Sequence, residues 1–436
     1  MKNTQCARFA LMVLLLGTLA ALPVFAVDKI PIAPFTFPST ANAGRGGAHI
    51  AFTDNVDALF YNPAALQKAR QRSLVEFSPR VIGPVFELLS AIPDLDFDNI
   101  GKVVNDIVGL DPNGRNRVPI GLDLGGPLAI GYAANGFGWG AWNTTSISLR
   151  LNGLNALTIE EHTDLIFNGG MAFNVWETDN HNIDAGFVVK TFGRLSVPVT
   201  SLNVMSTALG AVSGGDFDFT ALMEDLSVPV LVGAGLDLGV TYRWSQGLVA
   251  AMTLSDVFTG AGDVYNLATL IPGGNDNVPK RLYTVPFTVN LGAAYTMQIL
   301  PSFVDLSFMF DIHDFASMFY DYTTRLLENR KNGLLGLGFG VDAMFLKHYS
   351  VRLGLNEMLP AVGIGMKFGG FQFDVSFYGR ELGFEPGDYP TYALDIGIVY
   401  RPEAKATSNF LTRGPIIDRR GGGKAATDAV ETTISD

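Results

Sequence analysis

Cysteine is almost missing: the 436 residues hold one, Cys6. It lies ahead of the apolar run 9–22, in a segment with Lys2 and Arg8 in front and Val24-Phe25-Ala26 behind. That layout reads as a secretory signal over 1–26, with the exported chain starting at Val27. Because Cys6 precedes the apolar run, it is not the lipid-modified cysteine of a lipoprotein, and the exported product has no thiol. Disulfides, thiolate metal sites and cysteine nucleophiles are thereby excluded. Histidine is scarce as well. His49, His162, His181, His313 and His348 are scattered, with no His-Glu-x-x-His and no nucleophile elbow, so neither catalytic residues, nor metal ligands, nor a cofactor is assigned and no enzyme is expected. After the signal no apolar run reaches 18 residues, which disfavours a spanning helix. Basic blocks are absent too: without Lys2 and Arg8 the 30 basic residues become 28 against 42 acidic ones, a net charge of −14, and nucleic acid is not an expected partner.

What the chain does have is apolar surface, with 48% hydrophobic residues, 17% charged residues and 49 glycines. An exported, apolar, glycine-rich chain without a spanning helix has one good membrane solution, a closed β-barrel, because only closure satisfies every backbone group in lipid. Alternation at period two supports it. Val232, Ala234, Leu236, Leu238, Val240 and Tyr242 form one row against Gly233, Gly235, Asp237, Gly239, Thr241 and Arg243. The split recurs over 335–343 and 371–377. Strands are expected near 72–82, 119–134, 138–151, 158–176, 183–197, 229–244, 247–258, 282–297, 302–313, 333–345, 349–358, 360–368, 371–383 and 391–401, an all-β barrel of 14 antiparallel strands.

The connections sort by length. Tight turns at 135–136, 177–182, 245–246, 298–301, 346–348 and 369–370 alternate with mostly longer segments, notably 83–118, 198–228, 259–281 and 314–332. Outer-membrane barrels place short turns in the periplasm and long loops outside, and an even strand number then puts both termini in the periplasm. Along the last strand Tyr392 and Tyr400 are separated by about 26 Å at ~3.3 Å per residue. A tilt of ~40° makes that roughly 20 Å of bilayer, near the height of an apolar band between aromatic girdles. Beyond Tyr400 the chain turns polar and small, and 402–436 reads as a disordered periplasmic tail.

The stretch 44–66, GRGGAHIAFTDNVDALFYNPAAL, is too short to fold alone. Gly44, Gly46 and Gly47 permit φ > 0 and close backbone approach. Asp54 is placed to cap a helical turn carrying Val56, Leu59 and Phe60. Asn62, ahead of proline, breaks that turn and caps a second one in which Pro63 and Ala64 lead. Two short helices in tandem are expected, forming a plug over 27–70 inside the barrel of 71–401.

This glycine-rich approach followed by Asp and then Asn62-Pro63-Ala64 resembles the N-terminal hatch of the FadL-type outer-membrane transporters, a broad group that includes PorV-like and TraF-like barrels. The segments 233–244, 291–295 and 351–368 are similar to barrel strands of that group. The resemblance implies a channel for passive uptake of hydrophobic molecules, long-chain fatty acids foremost, gated by Gly44, Gly46, Gly47, Asn62, Pro63 and Ala64. The alternative it implies is a PorV-like docking or assembly partner for surface proteins. A monomer surrounded by outer-membrane lipid is expected.

In such transporters the third and fourth external loops build a capture groove, here 198–228 with Leu222 and Met223, and 259–281 with Tyr265. Helical spacing also appears over 217–226 and 315–331. By alternation Lys190, Asp237, Asp305, Asp311, Asp342, Arg352, Lys367, Asp374 and Asp395 point into the lumen. A carboxylate-bearing cargo needs a cation, and Lys190, Arg352 and Lys367 are the choices. On the third strand Asn143 and Thr145 interrupt the lipid-facing row. A bulge there would rescue these polar groups, and FadL-type barrels resemble this in having a kinked third strand that opens sideways. Gly336, Gly338 and Gly340 lie inside a strand with no following helix, so they are not a phosphate loop. The acidic loop 273–277 reads as a solvated turn.

Overall fold

The computed structural model describes residues 30–35, 37, 39–85, 117–152, 157–199, 229–266, 281–300, 303–328 and 330–403. The expected signal, most of the tail and the loop residues Leu222 and Met223 lie outside them.

Fourteen strands follow one another around a closed antiparallel ring. They are β1 (Arg70–Ser73 continuing as Val75–Gly83), β2 (Arg117–Ala134), β3 (Phe137–Asn152), β4 (Leu157–Glu177), β5 (His181–Val199), β6 (Pro229–Trp244), β7 (Leu248–Ser255 and Gly260–Asn266), β8 (Leu282–Thr284 and Thr288–Leu300), β9 (Val304–Ile312), β10 (Leu337–Phe345), β11 (Tyr349–Asn356), β12 (Leu359–Phe368), β13 (Phe371–Glu381) and β14 (Pro390–Tyr400). Closure comes from β14 on β1, in a register running from Tyr400 opposite Val75 to Tyr392 opposite Gly83.

The pleat decides which residues meet water, lipid or lumen. Val232, Phe339, Phe371, Phe373, Val375, Tyr392, Ile396 and Ile398 are exposed, while Asp237, Asp342, Asp374 and Asp395 on the opposite rows are buried. A soluble fold inverts this order. Large side chains exposed from strand after strand, with carboxylates sealed inside, fit a barrel whose solvent is hydrocarbon. Aromatic pairs stand at both ends of β13 and β14: Phe371 with Tyr400, ring centroids 4.6 Å apart, and Phe377 with Tyr392, 5.2 Å apart.

Three boundaries differ from expectation. After the left-handed Asp256 the chain skips four residues and resumes as strand to Asn266, so the connection to β8 is shorter than 259–281. Pro286 has no amide hydrogen and splits β8. Gly333–Gly336 is a 3-10 turn, so β10 starts at Leu337. The helical spacing near 315–331 corresponds to a 3-10 turn, Phe315–Phe319, and a helix, Tyr322–Leu327.

The N-terminal segment runs through the lumen. Thr40–Gly44 is a helix the sequence reading did not foresee; Ala58–Tyr61 is a second, and Pro63–Gln67 is 3-10. Asn62 is extended and its side chain accepts from the Ala64 amide, as anticipated for a cap ahead of proline. Asp54 does not cap the turn before it. Asp57 sits at that position, and the Asn55 side chain accepts from the Asp57 amide. Ile30–Pro31 pairs in parallel with the first piece of β8, which lies toward the long-loop end. The described N-terminal residues therefore begin beside that end of β8.

Candidate functional site

The lumen has a polar half and an apolar half, and the N-terminal segment is shaped to both. On the polar side Arg45 donates to Asp342 at 2.8 Å, and Arg352 bridges Asp342 and Asp374 at 3.2 and 2.6 Å. Thr40 donates to Asp395 at 2.9 Å, and Ser376 donates to the Thr40 carbonyl at 2.7 Å. Asp311 on β9 accepts from the amides of His49 and Ile50, at 2.6 and 2.8 Å. Just after β14, Arg401 bonds Asp57 at 2.8 Å and Glu76 on β1 at 2.6 Å. Away from water such charges persist only when paired and hydrogen-bonded, and these acids and bases fix where the plug sits.

Close approach depends on wall positions without side chains. A Cβ at Gly239 on β6 would stand 2.7 Å from the Asn62 Oδ1, and one at Gly354 on β11 would stand 2.5 Å from the Gly46 amide nitrogen. Asn62, sealed from solvent, donates to the Ile50 carbonyl at 2.8 Å and to Thr241 on β6 at 2.9 Å. Gly46 and Gly47 have φ of 68° and 76°. Gly44 does not adopt positive φ among the described glycines; its requirement is space, since a Cβ would lie 3.0 Å from the Gly363 Cα. Gly338 and Gly340, the cluster that mimics a nucleotide loop, face the carbonyls of Gly46 and Arg45.

On the other side the lining is apolar. Val56, Leu59, Leu66 and Phe37 pack with Ala129, Trp142 and Val188. Above them Phe35 joins Ile166, Phe192, Leu231, Ala261 and Val285, and Phe60 touches both groups. Phe35 stacks on Phe192 with centroids 3.7 Å apart, and the Arg194 guanidinium lies 4.3 Å from the other ring system, that of Phe35. Tyr61 donates to the Phe37 carbonyl at 2.7 Å. Burial, then the nearby Asp57 carboxylate, push its phenol up, so the hydroxyl keeps the proton it donates.

Of the three cations singled out from sequence, two are already neutralised. Lys190 lies 3.0 Å from Asp237 and 2.7 Å from Asp256, and Arg352 sits between Asp342 and Asp374. Lys367 is exposed near the short turn after β12 and forms no ion pair with a described residue. The three are not brought together as one anion site. Tyr265, expected in a loop, is at the end of β7.

Asn143 and Thr145 do point outward, but β3 is not the irregular strand: it pairs with β4 without a shift from Phe137 to Leu151. The bulge belongs to β2, between Gly125 and Ala129. Pro127 cannot donate there, and Asn143 completes the distorted backbone, accepting from the Leu128 amide and donating to the Gly126 carbonyl, both at 2.9 Å. The Thr145 and Thr163 hydroxyls are 3.1 Å apart. The same bulge interrupts the ladder between β1 and β2, which pairs at Ser73–Gly131 and resumes at Ser78–Gly125. Outside it, Leu74, Ile130, Tyr132, Phe137 and Trp139 line an open apolar depression of about 330 Å³. Inside, a Cβ at Gly131 would touch Trp142 and Val56. Sequence reasoning missed Trp142, Phe35, Phe37 and Arg401; Pro127 within an apolar strand was the available signal for the bulge.

No protein-family model and no curated protein matches this chain. Solved structures similar to it include the Pseudomonas putida toluene transporter TodX, at 12% identity and a TM-score of 0.40, covering 86% of this chain and 99% of that one. The CymD monoaromatic hydrocarbon channel shows 11% identity, a TM-score of 0.40 and coverage of 87% and 99%. A Pseudomonas aeruginosa FadL homologue shows 10% identity, a TM-score of 0.38 and coverage of 85% and 98%. The similar structures also include the translocator domain of the autotransporter NalP from Neisseria meningitidis, at 10% identity and a TM-score of 0.33, covering 76% of this chain and 88% of that one.

Proposed function

We propose that this protein is an outer-membrane channel through which hydrophobic small molecules diffuse, with the N-terminal plug as its gate and the bulged β1–β2 seam as its side exit. The observation that carries the reading is continuity. The apolar half of the lumen, from Phe192 and Phe35 through Phe60 to Trp142 and Val56, leads to the interrupted ladder, and an apolar depression lies on its far side. A molecule following that path never has to cross the charged half. Gating is assigned to Gly44, Gly46, Gly47, Asn62, Pro63 and Ala64, because the plug blocks the lumen and these residues set its fit against the wall.

The charge arrangement bears on the cargo. Long-chain fatty acids bring a carboxylate, which would compete with two carboxylates already on Lys190 and two already on Arg352. Uncharged hydrophobic molecules meet no such competition and are the favoured class. The test is uptake of a labelled monoaromatic hydrocarbon and of a labelled long-chain fatty acid by bacteria lacking their own hydrophobic-compound channel. Faster entry of the hydrocarbon when this chain is expressed is the expected result. Entry of neither, together with a stoichiometric protein partner in detergent extracts, would replace transport by docking.

A further inference from the structure

His49 and His313 are far apart in sequence, yet their rings stand 5.3 Å apart across the boundary between plug and β9 wall. Asp311 completes a group of three whose ligand atoms all lie within 4.8 Å of one another. The Asp311 carboxylate is 1% exposed, and its Oδ2 is used twice, by the His49 and Ile50 amides. Its Oδ1 has no hydrogen-bond partner among the described residues. A buried carboxylate oxygen left without a partner is costly. Space beside it is kept open by Gly292 on β8, where a Cβ would come within 2.7 Å of Oδ1. Both imidazoles also crowd one carbonyl, that of Gly47, which His313 Nε2 approaches at 3.2 Å.

From this juxtaposition we propose that His49, Asp311 and His313 bind one divalent first-row transition-metal ion such as Zn²⁺, joining the plug to the wall. Two imidazoles and a carboxylate are a borderline-soft set, suited to zinc and its neighbours and poor for magnesium or calcium. Bond lengths of about 2.0–2.2 Å leave ligand atoms ~3.4 Å apart around a tetrahedral ion. Contraction from the present spacing needs roughly 1 Å of movement, which rotation of the two partly exposed imidazoles supplies. A water or the Gly47 carbonyl takes the fourth position. Because one ligand belongs to the plug and two to the wall, Asp311 in β9 and His313 just past its end, the ion acts as a latch. The binding itself does not depend on the transport reading.

The experiment uses the full untagged chain in detergent, stripped with a chelator and titrated with Co²⁺, whose visible absorption reports coordination, with Zn²⁺ as competitor. One Co²⁺ per chain is expected, displaced by Zn²⁺. His49→Ala and His313→Ala should each weaken binding at least about tenfold, while His348→Ala, in the short turn between β10 and β11, leaves it unchanged. Metal should also slow amide exchange around His49 to Thr53 in the wild type only. Wild-type protein that takes up no Co²⁺, or binding that survives both histidine variants, overturns the site. Binding without any change in exchange overturns the latch.

Discussion

The Asn62 side chain in the plug donates to Thr241 on β6 at 2.9 Å. The same amide group reaches the Ile50 carbonyl and its oxygen caps the Pro63–Gln67 turn, so one residue holds three parts of the plug and wall in register. Asn62→Ala removes a cap and two donors at once. A loss of about 1–3 kcal/mol in local stability is expected, read as faster amide exchange over 50–66, while the strands remain protected. If cargo uptake by this variant equals that of the wild type, the gating role of Asn62 is lost.

Gly46 cannot carry a side chain. It has φ of 68°, and a Cβ there would sit 2.5 Å from backbone atoms of Leu355 and Phe339. Gly46→Ala should cost several times the ~1 kcal/mol of an ordinary left-handed penalty because the wall backbone must move as well. Gly169→Ala, where a Cβ meets nothing within 4 Å, is the control and should leave the heat-induced gel shift of the folded barrel unchanged.

Arg352 serves two carboxylates, Asp342 and Asp374. Arg352→Met leaves Asp374 without its cation and should destabilise the barrel by about 3–5 kcal/mol. Adding Asp374→Asn should restore part of that loss. Denaturant titrations of the single and double variants measure the coupling, and a strictly additive pair would remove the ion pair from the account.

Asn143→Leu makes the outer row of β3 uniformly apolar, yet it should destabilise. The Leu128 amide and the Gly126 carbonyl lose their partners in lipid, at about 1–3 kcal/mol for each unsatisfied group. Faster exchange of the amides from Leu128 to Gly131 is the measurement, and unchanged exchange would mean the bulge supports itself.

The contrast between Asn143 and Arg45 shows where sequence reading succeeds. Outward placement of Asn143 follows from period two, a local property of one strand, and so do the fourteen strands and the inward direction of Asp342 and Lys190. Its reason for being there is in the preceding strand, at Pro127 of β2, and no count along β3 reveals it. Arg45 is 297 residues from its partner Asp342, and only the folded ring brings them together. The same holds for His49 and His313, which look unrelated until the plug is in place. Lys190 is an intermediate case: its partner Asp237 shares the inward row that alternation gives, whereas its second partner, Asp256, sits where β7 is interrupted.

Arg401 stands one residue past the final strand and holds both Asp57 and Glu76. It finds its full set of partners only when the first strand has come round to meet the last and the N-terminal segment is already seated. Zipping the wall and corking the bore are therefore coupled, and a chain cut short before residue 401 loses the clasp that links them.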